Sequence, residues 1–107
     1  MRPVITLTTD FGQDDPFVGI MKGVILNIVP DAQIVDITHN IEPQNITQAA
    51  LILNATYPWF PRKTVHVVVV DPGVGGGPTL KAKKTAGPVI RRAMVVQSKF
   101  QTFIGPD

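Results

Sequence analysis

Two aspartates sit where a small α/β chain does its chemistry. Asp10 follows the β-branched run Pro3–Thr8 (PVITLT) and precedes Phe11-Gly12. Asp71 follows Thr64–Val70 (TVHVVVV), the most hydrophobic strand-like stretch, and opens Asp71-Pro72-Gly73-Val74-Gly75. An ionised carboxylate accepts hydrogen bonds on two oxygens and donates none, so Asp10 suits a diol such as a ribose. A carboxylate at the end of a buried strand loses water and changes its proton affinity, which suits Asp71 to polarising or orienting a water molecule. Each has a plainer reading. Asp10 is also a good turn former or helix cap, and Pro72-Gly73 fits the centre of a type II turn.

Other candidates carry less. His39 and His66 are the only histidines and lack metal-ligand spacing. His66 alternates on its strand and reads as a core or surface strand residue. His39 leaves a strand near the aspartate turns, where a structural hydrogen bond outweighs catalysis. Gly73-Val74-Gly75-Gly76-Gly77 lacks the Gly-Lys-Ser/Thr ending of a phosphate loop. Trp59 and Phe60 lie between prolines and read as packing residues. Asp14, Asp15, Asp36 and Asp71 form the one rival constellation, a magnesium site for phosphoryl transfer.

The elements that must hold these residues alternate. Pro3–Thr8 reads as a buried strand, and Pro16 starts a helix with Asp15 as its N-cap. Phe17, Ile20, Met21, Val24, Ile25 and Ile28 follow helical spacing as far as Val29, and Pro30-Asp31 stops them. Gln33–Ile37 is a second strand. A second helix begins near Asn45 and runs over Thr47–Tyr57, with Ala50, Leu51, Leu53, Asn54 and Tyr57 along one side, and Thr64–Val70 is the third strand. The order β-α-β-α-β, with right-handed crossovers, predicts a parallel sheet in an α/β, three-layer αβα fold. Ligands of such sheets bind beyond the carboxyl ends of the strands, where the Asp10, His39 and Asp71 turns meet. Beyond Asp71 a Gly-, Pro- and Lys-rich stretch reads as a loop. Ala93–Gln97 and Gln101–Ile104 then read as two short strands, and Gly105-Pro106-Asp107 as the start of a turn that leads onward.

The 107 residues make one domain at most, 44% hydrophobic and 17% charged, which is globular rather than disordered. The net charge of +2 rests mainly on Lys81, Lys83, Lys84, Arg91 and Arg92. That balance does not point to a nucleic-acid binder. No apolar run approaches the ~20 residues that span a bilayer. The absence of cysteine excludes disulfides and thiolate metal sites and is compatible with a reducing cytoplasm.

Three segments together resemble one family. They are Ile5-Thr6-Leu7-Thr8-Thr9-Asp10-Phe11-Gly12 with Asp15-Pro16-Phe17-Val18-Gly19 and Met21-Lys22-Gly23-Val24-Ile25; Ile34-Val35-Asp36-Ile37-Thr38-His39 with Ile41-Glu42-Pro43; and Phe60-Pro61 with Thr64 through Gly75. This pattern resembles the S-adenosylmethionine hydroxide adenosyltransferases, relatives of the fluorinating and chlorinating enzymes. The resemblance implies attack of water or hydroxide on the ribose 5′ carbon of S-adenosyl-L-methionine, giving adenosine and methionine with no cofactor or metal. It implies that Asp71 and Arg91 aim the water. The resemblance further implies that Arg91 is displaced by an insertion of about a dozen residues (about 76–90), and that a third group, a His, is expected beyond residue 107. It implies ribose binding by Asp10, with Phe11 and Asp15 in the same loop. Gln44 stands where the fluorinating relatives carry Trp, which argues against a halide pocket. The family pairs such a domain with a β-rich second domain and forms homotrimers. The chain is therefore expected to be a partial N-terminal domain, active in a longer parent. The alternatives are the metal-dependent phosphotransferase and an inactive, truncated nucleoside-binding fragment.

Overall fold

The computed structural model describes residues 2–70, 93–97 and 101–106. Its elements are β1 (Val4–Thr9), α1 (Phe17–Ile28), β2 (Gln33–Thr38), α2 (Ile46–Thr56), a 3₁₀ turn at Tyr57–Trp59, β3 (Val65–Val69), β4 (Ala93–Gln97) and β5 (Thr102–Pro106). They form one sheet in the order β2-β1-β3-β5-β4. Four strands are mutually parallel, and β4 closes the edge antiparallel to β5. The mostly parallel α/β sheet expected from the sequence is present, with β1 paired on both sides.

Two apolar clusters show how the helices are placed. Ile5, Leu7 and Ala32 gather Met21, Ile25 and Val29 of the α1 region together with Val65 and Val67. Ile41, Ala49 and Val70 gather Ile52 of α2 and Val68. Successive strand residues point to opposite faces. The odd-numbered β3 residues therefore meet α1, the even-numbered ones meet α2, and the sheet lies between the two helices.

The helix faces differ from expectation in phase. On α1 the half-buried residues are Val18, Met21, Lys22 and Ile25, whereas Phe17, Ile20, Val24 and Ile28 are exposed. The apolar stripe is wider than the contact, and only its Met21–Ile25 edge reaches the sheet. On α2 the buried position is Ala49, followed by Ile52, Leu53 and Thr56, while Ala50 and Leu51 are exposed. A small residue allows the close approach of helix to sheet, so the phase is set by Ala49 rather than by the bulkiest side chains. At the far end, β5 continues through Gly105 and Pro106, which pair with Met94 and Ala93. The expected turn there is strand, because β5 is held between β3 and β4.

Candidate functional site at the end of β1

Parallel pairing brings the carboxyl ends of β1, β2 and β3 to one edge. Thr9 pairs with Val69 on one side. On the other, the register with β2 slips between Leu7 and Thr8, so that Leu7 faces Asp36 and Thr8 faces Thr38. Ile37 is the extra residue, and a bulge of this kind bends the strand and turns the side chains beyond it. His39 is thereby directed back over Thr9.

The Asp10 turn is fastened on three sides. Asp10 N–H donates to Val69 O (3.4 Å), Gly12 N–H to His39 O (2.7 Å), and Ile41 N–H to Thr9 O (3.3 Å). Gly12 has φ +72°, a backbone state that glycine adopts without a Cβ penalty. The Asp10 carboxylate accepts one hydrogen bond on Oδ2 from Gln44 N–H at 2.9 Å. Gln44 itself has φ 65°, so a residue in the left-handed region presents that N–H. One main-chain donor orients the carboxylate and leaves most of its acceptor capacity for a ligand.

Behind the turn runs a line of polar groups. Phe11 N–H donates to Thr9 Oγ1 (3.2 Å). Thr9 Oγ1 lies 2.7 Å from His39 Nδ1, and His39 Nε2 lies 2.8 Å from Asp36 Oδ1. Lys22 Nζ reaches Asp36 Oδ2 at 2.7 Å. Thr9 and His39 are buried. Burial pushes the Asp36 carboxyl up, but hydrogen bonds from Lys22 and His39 outweigh it and hold the group below its ordinary 3.8. His39 does make the structural hydrogen bonds its sequence position suggested.

The structure separates the other candidates. Asp15 Oδ1 accepts from Phe17 N–H at 3.2 Å, across Pro16, and so satisfies a free donor at the start of α1. The helix begins one residue later than expected, with Pro16 at the cap position. Phe11 packs against Phe17, ring centroids 5.9 Å apart. Asp71 and Arg91 lie outside the described residues, as do the turn expected at Asp71-Pro72-Gly73 and the insertion expected at about 76–90. Both Asp36 oxygens are taken by Lys22 and His39, so a metal there would have to displace an ammonium group. Among the described residues no group of three or more His, Cys, Asp or Glu is placed to hold a metal ion.

Three positions were not singled out from sequence as parts of a site: Thr9, Lys22 and the Gln44 amide. The Asp-x-x-His spacing of Asp36 and His39 was a usable signal, as was the hydroxyl beside Asp10. Lys22 gave none, because a lone lysine on a helix is ordinarily a solvated residue.

Residues 5–107 match the SAM hydroxide adenosyltransferase N-terminal domain. The chain belongs to that family. The (R)-S-adenosyl-L-methionine hydrolase of Methanocaldococcus jannaschii is 42% identical over 97% of this chain and 36% of the relative. The fluorinase of Nocardia brasiliensis is 34% identical over 69% of this chain and 25% of the relative. A crystal structure of an uncharacterized conserved protein from Thermotoga maritima superposes with a TM-score of 0.76 at 39% identity, over 95% of this chain and 35% of that one. The domain thus spans about a third of the length of the relatives it matches. Its residues resemble the hydrolase along nearly their whole length and the fluorinase along a shorter part.

Proposed function

We propose that this domain is the S-adenosyl-L-methionine-binding half of an enzyme that hydrolyses S-adenosyl-L-methionine to adenosine and L-methionine. The observation that carries the reading is the Asp10 carboxylate, set at the carboxyl end of β1 and held, among the described residues, by one amide donor. That arrangement is made for a vicinal diol, and the ribose of the substrate supplies one.

The chemistry is a displacement. A water oxygen forms a bond to the ribose 5′ carbon, the carbon–sulfur bond breaks, and its electron pair goes to the sulfur of departing methionine. The water loses one proton to solvent or a base. A sulfonium is already a good leaving group, so the enzyme has to supply orientation and partial desolvation rather than a metal or covalent nucleophile. By resemblance, Asp71 and Arg91 aim the water, and Asp10, with Phe11 and Asp15 in the same loop, seats the ribose. The longer span of likeness to the hydrolase and the presence of Gln44 favour water over halide as the nucleophile.

The activity belongs to a longer protein, in which a β-rich second domain and a homotrimer complete the pocket, working in the cytoplasm on a small molecule rather than on nucleic acid or membrane. No helix among the described residues is long and apolar enough to cross a membrane. The test is to incubate the full-length protein with S-adenosyl-L-methionine and follow adenosine and methionine. Stoichiometric release of both, unchanged by chelator, is expected. Folded protein that makes no adenosine would reject the reading.

A further inference from the structure

The line from Phe11 to Lys22 has a direction. At one end the Phe11 amide can only donate, and at the other the Asp36 carboxylate, when ionised, can only accept. Asp36 already receives Lys22 on Oδ2, so Oδ1 must accept from His39 Nε2–H. With its proton on Nε2, the neutral ring leaves Nδ1 as an acceptor. The Thr9 hydroxyl then donates to Nδ1 at 2.7 Å and accepts from Phe11 N–H at 3.2 Å. With the ring neutral, every donor in the line meets an acceptor, and the other tautomer would set the lone pairs of Nε2 and Asp36 Oδ1 face to face.

This line brackets Asp10. Its hydroxyl end ties Thr9 to Phe11 across that residue, and the His39 carbonyl holds Gly12 at 2.7 Å. We propose that Thr9 and His39 are positioning residues, which fix the Asp10 carboxylate for the substrate diol through a one-way hydrogen-bond line anchored on Asp36 and Lys22. The proposal rests on Asp10 gripping the ribose. It adds two residues that touch neither substrate nor reacting atoms, along with the tautomer that makes them work.

The full-length protein tests it with two pairs of variants. Thr9→Val removes the hydroxyl at constant size, and Thr9→Ser restores it. His39→Asn keeps a polar atom near Nδ1, within reach of Thr9; His39→Gln keeps one near Nε2, within reach of Asp36. Thr9→Val and His39→Gln should raise KM for S-adenosyl-L-methionine about tenfold while changing kcat far less, the size expected of one lost buried hydrogen bond. Thr9→Ser and His39→Asn should recover most of that loss. In ¹⁵N-labelled wild-type protein, His39 Nδ1 should give the shift of an unprotonated ring nitrogen and Nε2 that of a protonated one. Equal KM across either pair, or the opposite tautomer, overturns the proposal. If wild-type protein makes no adenosine, the reaction assignment fails separately. The line is then judged by the tautomer and by exchange of the Phe11 amide, which should quicken in Thr9→Val but not in Thr9→Ser. Equal exchange in the two overturns it.

Discussion

His39 and His66 stand on opposite faces of the sheet, and each sets Nδ1 2.7 Å from the hydroxyl of a β1 threonine: Thr9 on the α1 side, Thr6 on the α2 side. The second is as fully partnered as the first. Gln101 donates its amide to Tyr57 O and Phe60 O, both at 3.3 Å, so its Oε1 accepts from His66 Nε2 at 2.6 Å. The ring also stacks on Phe103 at 5.1 Å. The site face and the packing face are thus tied to one strand by the same imidazole–hydroxyl pair.

Burial holds the His66 ring below its ordinary 6.5, and the bond with Gln101 restores only part of that. The unfolded chain takes up a proton as the pH falls through 6.5, whereas the folded ring does so only at lower pH. The stability from this group is therefore fully present above about pH 6.5 and is lost as pH drops below it. Urea midpoints measured from pH 7.5 to 5.5 should fall, and His66→Gln, which does not titrate, should flatten that slope.

Asp36 sets a second, more acid window. Its folded-state proton affinity is depressed, so its contribution is present above 3.8 and is lost as pH falls below that value. Asp36→Asn should remove the pH dependence in this range while weakening the line through His39. Thermal midpoints between pH 5 and 2.5 measure it.

Thr8 and Thr6 make a paired test on the α2 face. The Thr8 hydroxyl is buried and has no hydrogen-bond partner among the described residues, whereas the Thr6 hydroxyl partners His66. Thr8→Val should be neutral or stabilise by up to about 1 kcal/mol, because no hydrogen bond to a described residue is lost and a buried polar atom is removed. Thr6→Val should destabilise by about 1–3 kcal/mol, because the ring nitrogen is left unpaired. Equal effects in chemical denaturation would contradict the hydrogen-bond assignment.

At Gly12 a Cβ would meet nothing within 4 Å, yet φ is +72°. Gly12→Ala should therefore cost about 1–2 kcal/mol through backbone conformation alone. Because that amide holds the turn to His39, weaker nucleoside binding should accompany the loss, as read by calorimetry with adenosine.

The carboxylates of the proposed reaction should separate by kinetic parameter. Asp10→Asn removes an acceptor from the diol and should raise KM for S-adenosyl-L-methionine by about 10–100-fold, the range of a charge-assisted hydrogen bond. Asp71→Asn should abolish turnover with little change in folding. Full activity in the latter would remove Asp71 from the mechanism.

Much of this was open to reading from residue order. The β-branched runs, helix stops at Pro30 and Pro58, and the Asn45 cap, which accepts from Gln48 N–H at 2.9 Å, all mark elements by local chemistry. Asp10 stood out because a charge ends an apolar strand. The helix faces were harder, since Phe17 and Leu51 look like core residues but are exposed, and only packing against the sheet selects Met21 and Ala49. The Lys22–Asp36–His39–Thr9 line was beyond reach because it joins three elements and depends on a one-residue slip at Ile37.

β1 is an inner strand of the sheet and precedes both of its partners, β2 and β3, along the chain. Its second partner comes late, since Ile5 pairs with Val65, sixty positions further along. At about 5–20 residues per second, a ribosome needs about 3–12 s to make that stretch. Through that wait one flank of the most buried strand is unpaired in water. Thr6, Thr8 and Thr9, rather than three more valines, keep the waiting strand wettable, and one of those hydroxyls, that of Thr9, is later taken up by the finished site.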